Sequence, residues 1–388
     1  MPHKSITKIA FINRSFWPIY PVIGEALLQL TEDLALDGLK PIVITQDREK
    51  LKKSLADQCR GKGVIFNTIP AFTNSASNIL IRSIENIIFM SYVAINLIKN
   101  RPQKVYVSTD PPILVPFIVA IYCKVFQKSF IYHLQDIHPE AANVVIPVNK
   151  LLFKLLIKID NYTLLNAEKV ITLSEEMAEV IYHRLLRKIK IDLIENPAIS
   201  FKNLRMPKKR INGFSFCGNA GRLQRIPLLL NAIQEYYKKG GSLEFIFAGG
   251  GIYSNRLSEF SRKFPNFKYL GQVSPIQAAE INFTYTWALL PIEDSVTNFS
   301  FPSKSSTYLV SGANTMAICS KETSVAKWIH KNEAGIVVSP NIDSLVKAFF
   351  RIEKNQQLFL KRPDSQKKYI RELSFENFIK NIKSLLLS

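Results

Sequence analysis

Short apolar runs recur along nearly the whole chain, and between most of them lies a stretch with the apolar spacing of a helix. In the first half the runs are KIAFIN (8–13), PIVITQ (41–46), VIFNTI (64–69), KVYVST (104–109), SFIYHL (129–134), KVITLS (169–174) and KIDLIEN (190–196). A strand that is apolar on both faces must be covered on both faces, so these runs predict a parallel sheet wrapped by helices. The stretch ENPAISFKNLRMPKKRING, rich in proline and basic residues, then breaks the pattern. A second series follows: FSFCG (214–218), LEFIFAG (243–249), NFKYLG (266–271), WALLPI (287–292), TMAICS (315–320) and AGIVVS (334–339). The expected fold is therefore α/β, with two doubly wound, Rossmann-like domains facing a cleft. The expected boundaries are 1–197, a linker at 198–212, a second domain at 213–370, and a helix at 371–388 that packs back on the first domain.

A length of 388 residues fits two domains better than one. The four cysteines form no CxxC pair and read as buried thiols of a reducing compartment. The apolar stretches NIIFMSYVAINLI and PPILVPFIVAIYC fall short of the roughly 18–20 residues that cross a bilayer. They are expected to be buried helices or helices that touch a membrane surface. The N-terminus lacks the apolar segment of a signal peptide. The net charge of +20, concentrated in the second half, favours an anionic partner. No zinc finger or other nucleic-acid module accompanies it, so a basic nucleic-acid-binding protein is the weaker alternative and no nucleic-acid partner is expected.

Open parallel sheets bind ligands beyond the carboxyl ends of their strands. FCGNAGRLQR places Gly218, Arg222 and Arg225 at such an end, before a helical run. Glycine admits close approach to the backbone, and a helix start offers unpaired N–H groups and the positive end of a dipole. Together with the arginines these suit a phosphate or diphosphate. AGGGIYS brings Gly250 to a second strand end, and LGQVSP brings Val273 to a third. SFPSKSSTYLVSG sets Ser303 at a helix start, Lys304 in the first turn and Gly312 at the end. A lysine at a helix N-terminus opposes the dipole, so it points to a bound anion.

In the first half, Gly24 stands at the entry to a helix, and VSTDPP ends a strand with Thr109 and Asp110. IYHLQDIHPE gathers His133, Asp136, His138 and Glu140 past another strand. Such a group can transfer a proton or bind a hydroxyl, and its spacing matches no metal-protease motif. Lys150, Lys154 and Lys158 recur every four residues on an amphipathic run, a basic stripe suited to an anionic membrane.

The ordered set Gly24, TDPP (109–112), QDIHPE (135–140), GNAG (218–221) and PSKSSTYLVSG (302–312) resembles bacterial GT-B glycosyltransferases of family 4. The branch it is most similar to builds O-antigen, capsule and exopolysaccharide, the WbuB-like and colanic-acid-type enzymes. The resemblance implies a nucleotide-sugar donor, UDP-linked by expectation, held by the second domain. Gly24, Gly218, Arg222, Arg225, Gly250, Val273, Ser303, Lys304 and Thr307 would bind that donor. Asp136 and His133 would stand beside the transferred sugar as catalytic groups, with Thr109, Asp110 and Glu140 on the acceptor side. Lys150, Lys154 and Lys158 would face the membrane. It further implies a retaining hexosyltransferase with no metal or other cofactor, and a lipid-linked saccharide acceptor. The location would be cytoplasmic, peripheral on the inner face of the cell membrane. The sequence departs from the pattern at Thr307, where relatives often carry a ribose-binding glutamate, and at GAN (312–314) in place of GKP. A GT-B nucleotide-sugar epimerase is the alternative enzyme.

Overall fold

A computed structural model describes residues 7–20, 22–48, 50–73, 79–199, 209–355 and 369–388. The chain divides into two compact units, Met1–Asn196 with Glu376–Ser388, and Pro197–Phe375. Most of the expected linker, 200–208, lies outside the described residues, and its end at 211–212 is already strand.

Among the described residues, the first unit holds seven parallel strands in the order β3-β2-β1-β4-β5-β6-β7. They are β1 (Lys8–Ile12), β2 (Lys40–Asp47), β3 (Ile65–Pro70), β4 (Lys104–Ser108), β5 (Ser129–His133), β6 (Lys169–Thr172) and β7 (Ile191–Leu193). Helices connect them: α1 (Ile23–Leu36), α2 (Leu51–Asp57), α3 (Ile79–Asn100), α4 (Leu114–Val125), α5 (Glu140–Val145), α6 (Lys150–Asn166) and α7 (Glu175–Leu185). The central strands are buried throughout, as in Ala10, Phe11 and Ile12 of β1 and Val105, Tyr106 and Val107 of β4. That is the signature of a sheet covered on both faces.

Among the described residues, the second unit holds six parallel strands in the order β10-β9-β8-β11-β12-β13. They are β8 (Ile211–Cys217), β9 (Glu244–Ala248), β10 (Phe267–Tyr269), β11 (Tyr285–Pro291), β12 (Asn314–Ile318) and β13 (Gly335–Val338). Its helices are α8 (Ile226–Lys238), α9 (Ser254–Lys263), α10 (Pro275–Thr284), α11 (Lys304–Ser311), α12 (Ser324–Lys331) and α13 (Ile342–Lys354). Phe214 and Phe245 stack with centroids 4.9 Å apart, and Phe349 of α13 meets both edge-on. A last helix, α14 (Phe375–Leu387), carries the chain into the first unit, where Phe378 packs 6.2 Å from the His133 ring and Lys383 pairs with Asp33 and Asp37.

Two expectations need correction. Cys59 is exposed, while Cys123, Cys217 and Cys319 are buried. The apolar run from Asn86 continues towards the N-terminus, so Leu80–Asn100 of α3 is long and apolar enough to cross a membrane by length and composition. Its inner face nevertheless packs on the sheet through Phe89, Val93 and Leu97, all fully buried.

Candidate functional site

In each sheet the strand order reverses once, between β1 and β4 in the first unit and between β8 and β11 in the second. Flanking loops leave such a boundary in opposite directions and open a crevice at the carboxyl ends. Gly24, Thr109 and Asp110 follow β1 and β4, and Gly218, Arg222, Arg225, Ser303, Lys304 and Thr307 follow β8 and β11; Gly250, Val273 and Asp136 follow the neighbouring strands β9, β10 and β5.

In the second unit, three loops are laced by backbone bonds. Gly218 donates to Ala248 at 2.8 Å, Ala220 to Gly250 at 2.8 Å, and Gly249 to Gly271 at 2.6 Å. These amides are therefore spent between loops. Gly249 has φ +127, and a Cβ there would stand 2.1 Å from the Gly218 carbonyl oxygen, so no other residue permits the lacing. Gly250, the expected donor-binding glycine, has open space where a Cβ would stand, and its carbonyl accepts the Ala220 amide.

Gly218, with φ +145, makes room for a side chain of the chain itself. A Cβ there would lie 2.2 Å from Cε and 2.5 Å from Nζ of Lys304. Lys304 is the first residue of α11, which ends at Gly312 in the left-handed conformation. Ser303 holds the N-cap position without capping through its side chain. The Lys304 ammonium sits 4.2 Å from the Phe216 ring centroid, and burial pushes it down to about 8. No carboxylate pairs with it among the described residues. A half-buried cation at a helix N-terminus without a counter-ion has the chemistry to accept an anion. Arg222, exposed at the start of a short 3-10 turn after the Gly218 loop, likewise has no ion-pair partner among the described residues.

Arg225 differs from its expected role. Its Nε donates to the Ile292 carbonyl at 2.7 Å, and its guanidinium lies 3.1 Å from Glu293 and 3.0 Å from Asp294. Its charge is already matched, and it fastens the loop after β8 to the loop after β11. Thr307 is buried, and its hydroxyl accepts the Ile199 amide at 3.3 Å, so it faces its own chain. Val273 is half-buried against Cys217, Ile246, Ala248, Ile281 and Tyr285.

In the first unit the loops are clamped by charge. Asp110 accepts Nε of Arg14 at 2.9 Å and the Ser15 amide at 2.8 Å, and pairs with Nη2 of Arg14 at 2.8 Å. Thr109 accepts the Gln135 amide at 3.0 Å and the Asp136 amide at 3.3 Å, shaping the loop after β5. Gly24 serves the chain, not a ligand: a Cβ would stand 2.6 Å from the Trp17 backbone nitrogen.

His133 does not fit the expected proton-transfer role. It is fully buried, with Nδ1 hydrogen-bonded to the Tyr106 hydroxyl and Nε2 facing the Gln135 amide at 2.9 Å. Burial pushes the imidazole down to about 3. Glu140 is also committed, paired at 3.1 Å with Arg184, which binds Asp160 as well. Tyr132 donates to Asp160 at 2.7 Å, completing a buried network. Burial works against the Arg184 charge, but Asp160 and Glu140 outweigh it and hold the guanidinium above its ordinary value. Asp136 is half-buried, and nothing hydrogen-bonds its carboxylate among the described residues. His138 feels that carboxylate, although burial holds its imidazole below the ordinary value. Lys150, Lys154 and Lys158 are all exposed along α6.

Sequence reasoning missed four partner residues. Arg14 clamps Asp110, Phe216 underlies Lys304, and Glu293 with Asp294 neutralises Arg225. The acid pair in PIED after β11 is visible in the sequence, but its partner is not.

No protein-family model matches the chain. It is similar to a probable glycosyltransferase, WbjE, of Pseudomonas aeruginosa, 22% identical over 321 residues that cover 77% of this chain and 78% of the relative. A glycosyltransferase from Rickettsia africae is similar in structure, with a TM-score of 0.67 at 14% identity over 98% of both chains. So is Anabaena Alr3699/HepE, whose structure holds UDP, with a TM-score of 0.67 at 13% identity over 98% of this chain and 99% of that one. The chain carries the GT-B glycosyltransferase fold.

Proposed function

We propose that this chain is a glycosyltransferase that moves a sugar from a nucleotide-sugar donor to a lipid-linked saccharide acceptor. The proposed setting is the assembly of O-antigen, capsule or exopolysaccharide, on the inner face of the cell membrane. The observation that carries the reading is Lys304, a half-buried ammonium without a counter-ion, at a helix N-terminus beside the β8/β11 boundary. A diphosphate supplies the missing charge. As the bond to the sugar breaks, negative charge grows on the leaving diphosphate, and Lys304 and Arg222 stabilise it more in the transition state than in the ground state. That role needs no metal. The UDP held by Anabaena HepE supports a UDP-sugar as donor. The second domain (213–370) would hold the donor and the first (1–197) the acceptor. Asp136, its carboxylate free of partners among the described residues, would accept a hydrogen bond from the transferred sugar or the acceptor hydroxyl. Retention of anomeric configuration follows from the family 4 resemblance.

A thermal-shift series with UDP-, GDP-, dTDP- and CMP-sugars tests the reading. Donor at about 100 times its Kd stabilises the folded state by about 2.7 kcal/mol. The expected outcome is a clear rise in Tm with a UDP-sugar, abolished in Lys304→Ala. If no nucleotide-sugar raises the Tm of the unaltered protein, the reading fails.

A further inference from the structure

The buried face of α3 carries Glu85, Phe89, Val93, Asn96 and Leu97. Its opposite face is an aliphatic stripe, interrupted by Ser91, in which Ile84, Ile87, Ile88, Ile95 and Ile98 are all exposed, Ile95 at 63%. Single exposed aliphatics are ordinary, but a stripe along a whole helix is not. Right-handed crossovers place α3, α4 and α6 on the same side of the sheet, and α4 packs against both of the others. α6 adds Leu151, Leu152 and Leu155, the first 80% exposed.

The charges on these helices sort by sign. Every exposed charged side chain on α3, α4 and α6 is basic: Arg82, Lys99, Lys124, Lys150, Lys154 and Lys158. The acids on the same helices are buried, Glu85 accepting the Phe72 and Thr73 amides and Asp160 paired with Arg184. A face that is aliphatic and only positive fits an anionic lipid surface. A second copy of the same face would bring like charges together.

We propose that the outer faces of α3 and α6 dock the first unit on a bilayer bearing anionic headgroups, with α3 lying in the interfacial plane. This rests on the lipid-side placement proposed above and names the surface that makes it. α3 does not span the bilayer. The Glu85 carboxylate accepts the backbone amides of Phe72 at 2.7 Å and Thr73 at 3.0 Å, so the inner face of α3 belongs to the protein core. The aliphatic stripe enters the acyl boundary, and the lysines of α6 reach the headgroups.

The test is sedimentation with phosphatidylcholine vesicles, with and without phosphatidylglycerol. The unaltered chain should bind the anionic vesicles, and the double variant Ile84→Glu, Ile88→Glu should bind on the order of tenfold or more weakly. Replacing Lys150, Lys154 and Lys158 together by serine should remove the preference for phosphatidylglycerol. Both variants substitute exposed positions and should keep the Tm and the thermal shift with a UDP-sugar. If the unaltered chain binds and the double variant binds equally well, this surface is wrong while the lipid-side placement stands. If the unaltered chain binds neither vesicle, both fall. If it instead dimerises in sedimentation velocity and the double variant is monomeric, a second copy covers the stripe and the proposal is overturned.

Discussion

At the β1/β4 boundary, Arg14 meets Asp110 at 2.8 Å and the pair locks two loops together. At the β8/β11 boundary, Lys304 has a phenyl ring 4.2 Å away and no carboxylate among the described residues. The two units share a topology and use cations in opposite ways. A matched charge is a fastening. An unmatched, half-buried charge costs folding energy, because desolvation disfavours the ionised form. Such a cost persists where a ligand repays it, which is why the proposed donor site falls at the second boundary, while the Arg14–Asp110 pair at the first holds its own loops. Arg225 repeats the lesson within one loop, since it is matched by Glu293 and Asp294 where Arg222 is not.

The largest expected effect comes from removing the unmatched charge. In Lys304→Met, sugar transfer should fall by about 10²–10³-fold, the usual consequence of losing one group that stabilises developing negative charge. Stability should move the other way, with a higher Tm at pH 7. The ordinary lysine value is 10.5 and burial lowers it to about 8. Between those two values the unfolded chain holds a proton that the folded chain lacks, so the stability of the unaltered protein climbs with pH across that window. Below it the cost of the buried charge stands in full. Calorimetry across the window should show the climb in the unaltered protein and its loss in the variant. Donor affinity should weaken as pH rises through 8. A variant that is both inactive and less stable at pH 7 would place Lys304 with the fastenings and break the comparison.

A smaller effect, of the opposite kind, is expected at the first boundary. Asp110→Ala leaves the Arg14 guanidinium and the Ser15 amide without their acceptor. Urea unfolding should show a loss of about 1–3 kcal/mol, towards the lower figure because both side chains are partly exposed. The rise in Tm given by a UDP-sugar should match that of the unaltered protein. A lost donor shift with unchanged stability would reverse the assignment of the two boundaries.

The fold was legible because a doubly covered parallel sheet writes itself into the sequence as apolar runs. All thirteen strands among the described residues lie where those runs are, with ends moved by a few residues. The order of the strands and the pairing of loops were not written locally. Gly218 reads as a place for a ligand, yet the nearest group to its missing Cβ is Lys304, distant in sequence. Arg222 and Arg225 look alike in FCGNAGRLQR, and only the acids after β11 separate them. Gly24 and Thr307 look like ligand contacts in the sequence because their neighbours, Trp17 and Ile199, meet them only through folding. Motif spacing reports which loops converge. It does not report which polar groups are already satisfied when they do.

That distinction gives the smallest effect, at His133. The strand end and the neighbouring carboxylates made it a proton-transfer candidate, but both ring nitrogens are occupied and burial lowers the imidazole to about 3. A group that stays neutral to that value does not exchange protons at working pH. Its imidazole C–H resonances should therefore stay still across about pH 5 to 8, the range in which an ordinary histidine titrates. His133→Gln, which can still bond Tyr106 and Gln135, should retain transfer activity, far from the about 10²–10⁴-fold loss that follows removal of a general base. The histidine should be felt in stability instead. Below its ordinary value of 6.5 the unfolded chain takes up a proton that the folded chain refuses until about pH 3, so stability falls with acidification across that window. The glutamine variant should lose that part of the acid sensitivity. If it keeps the full acid sensitivity and loses transfer, His133 is a working group and not a structural one.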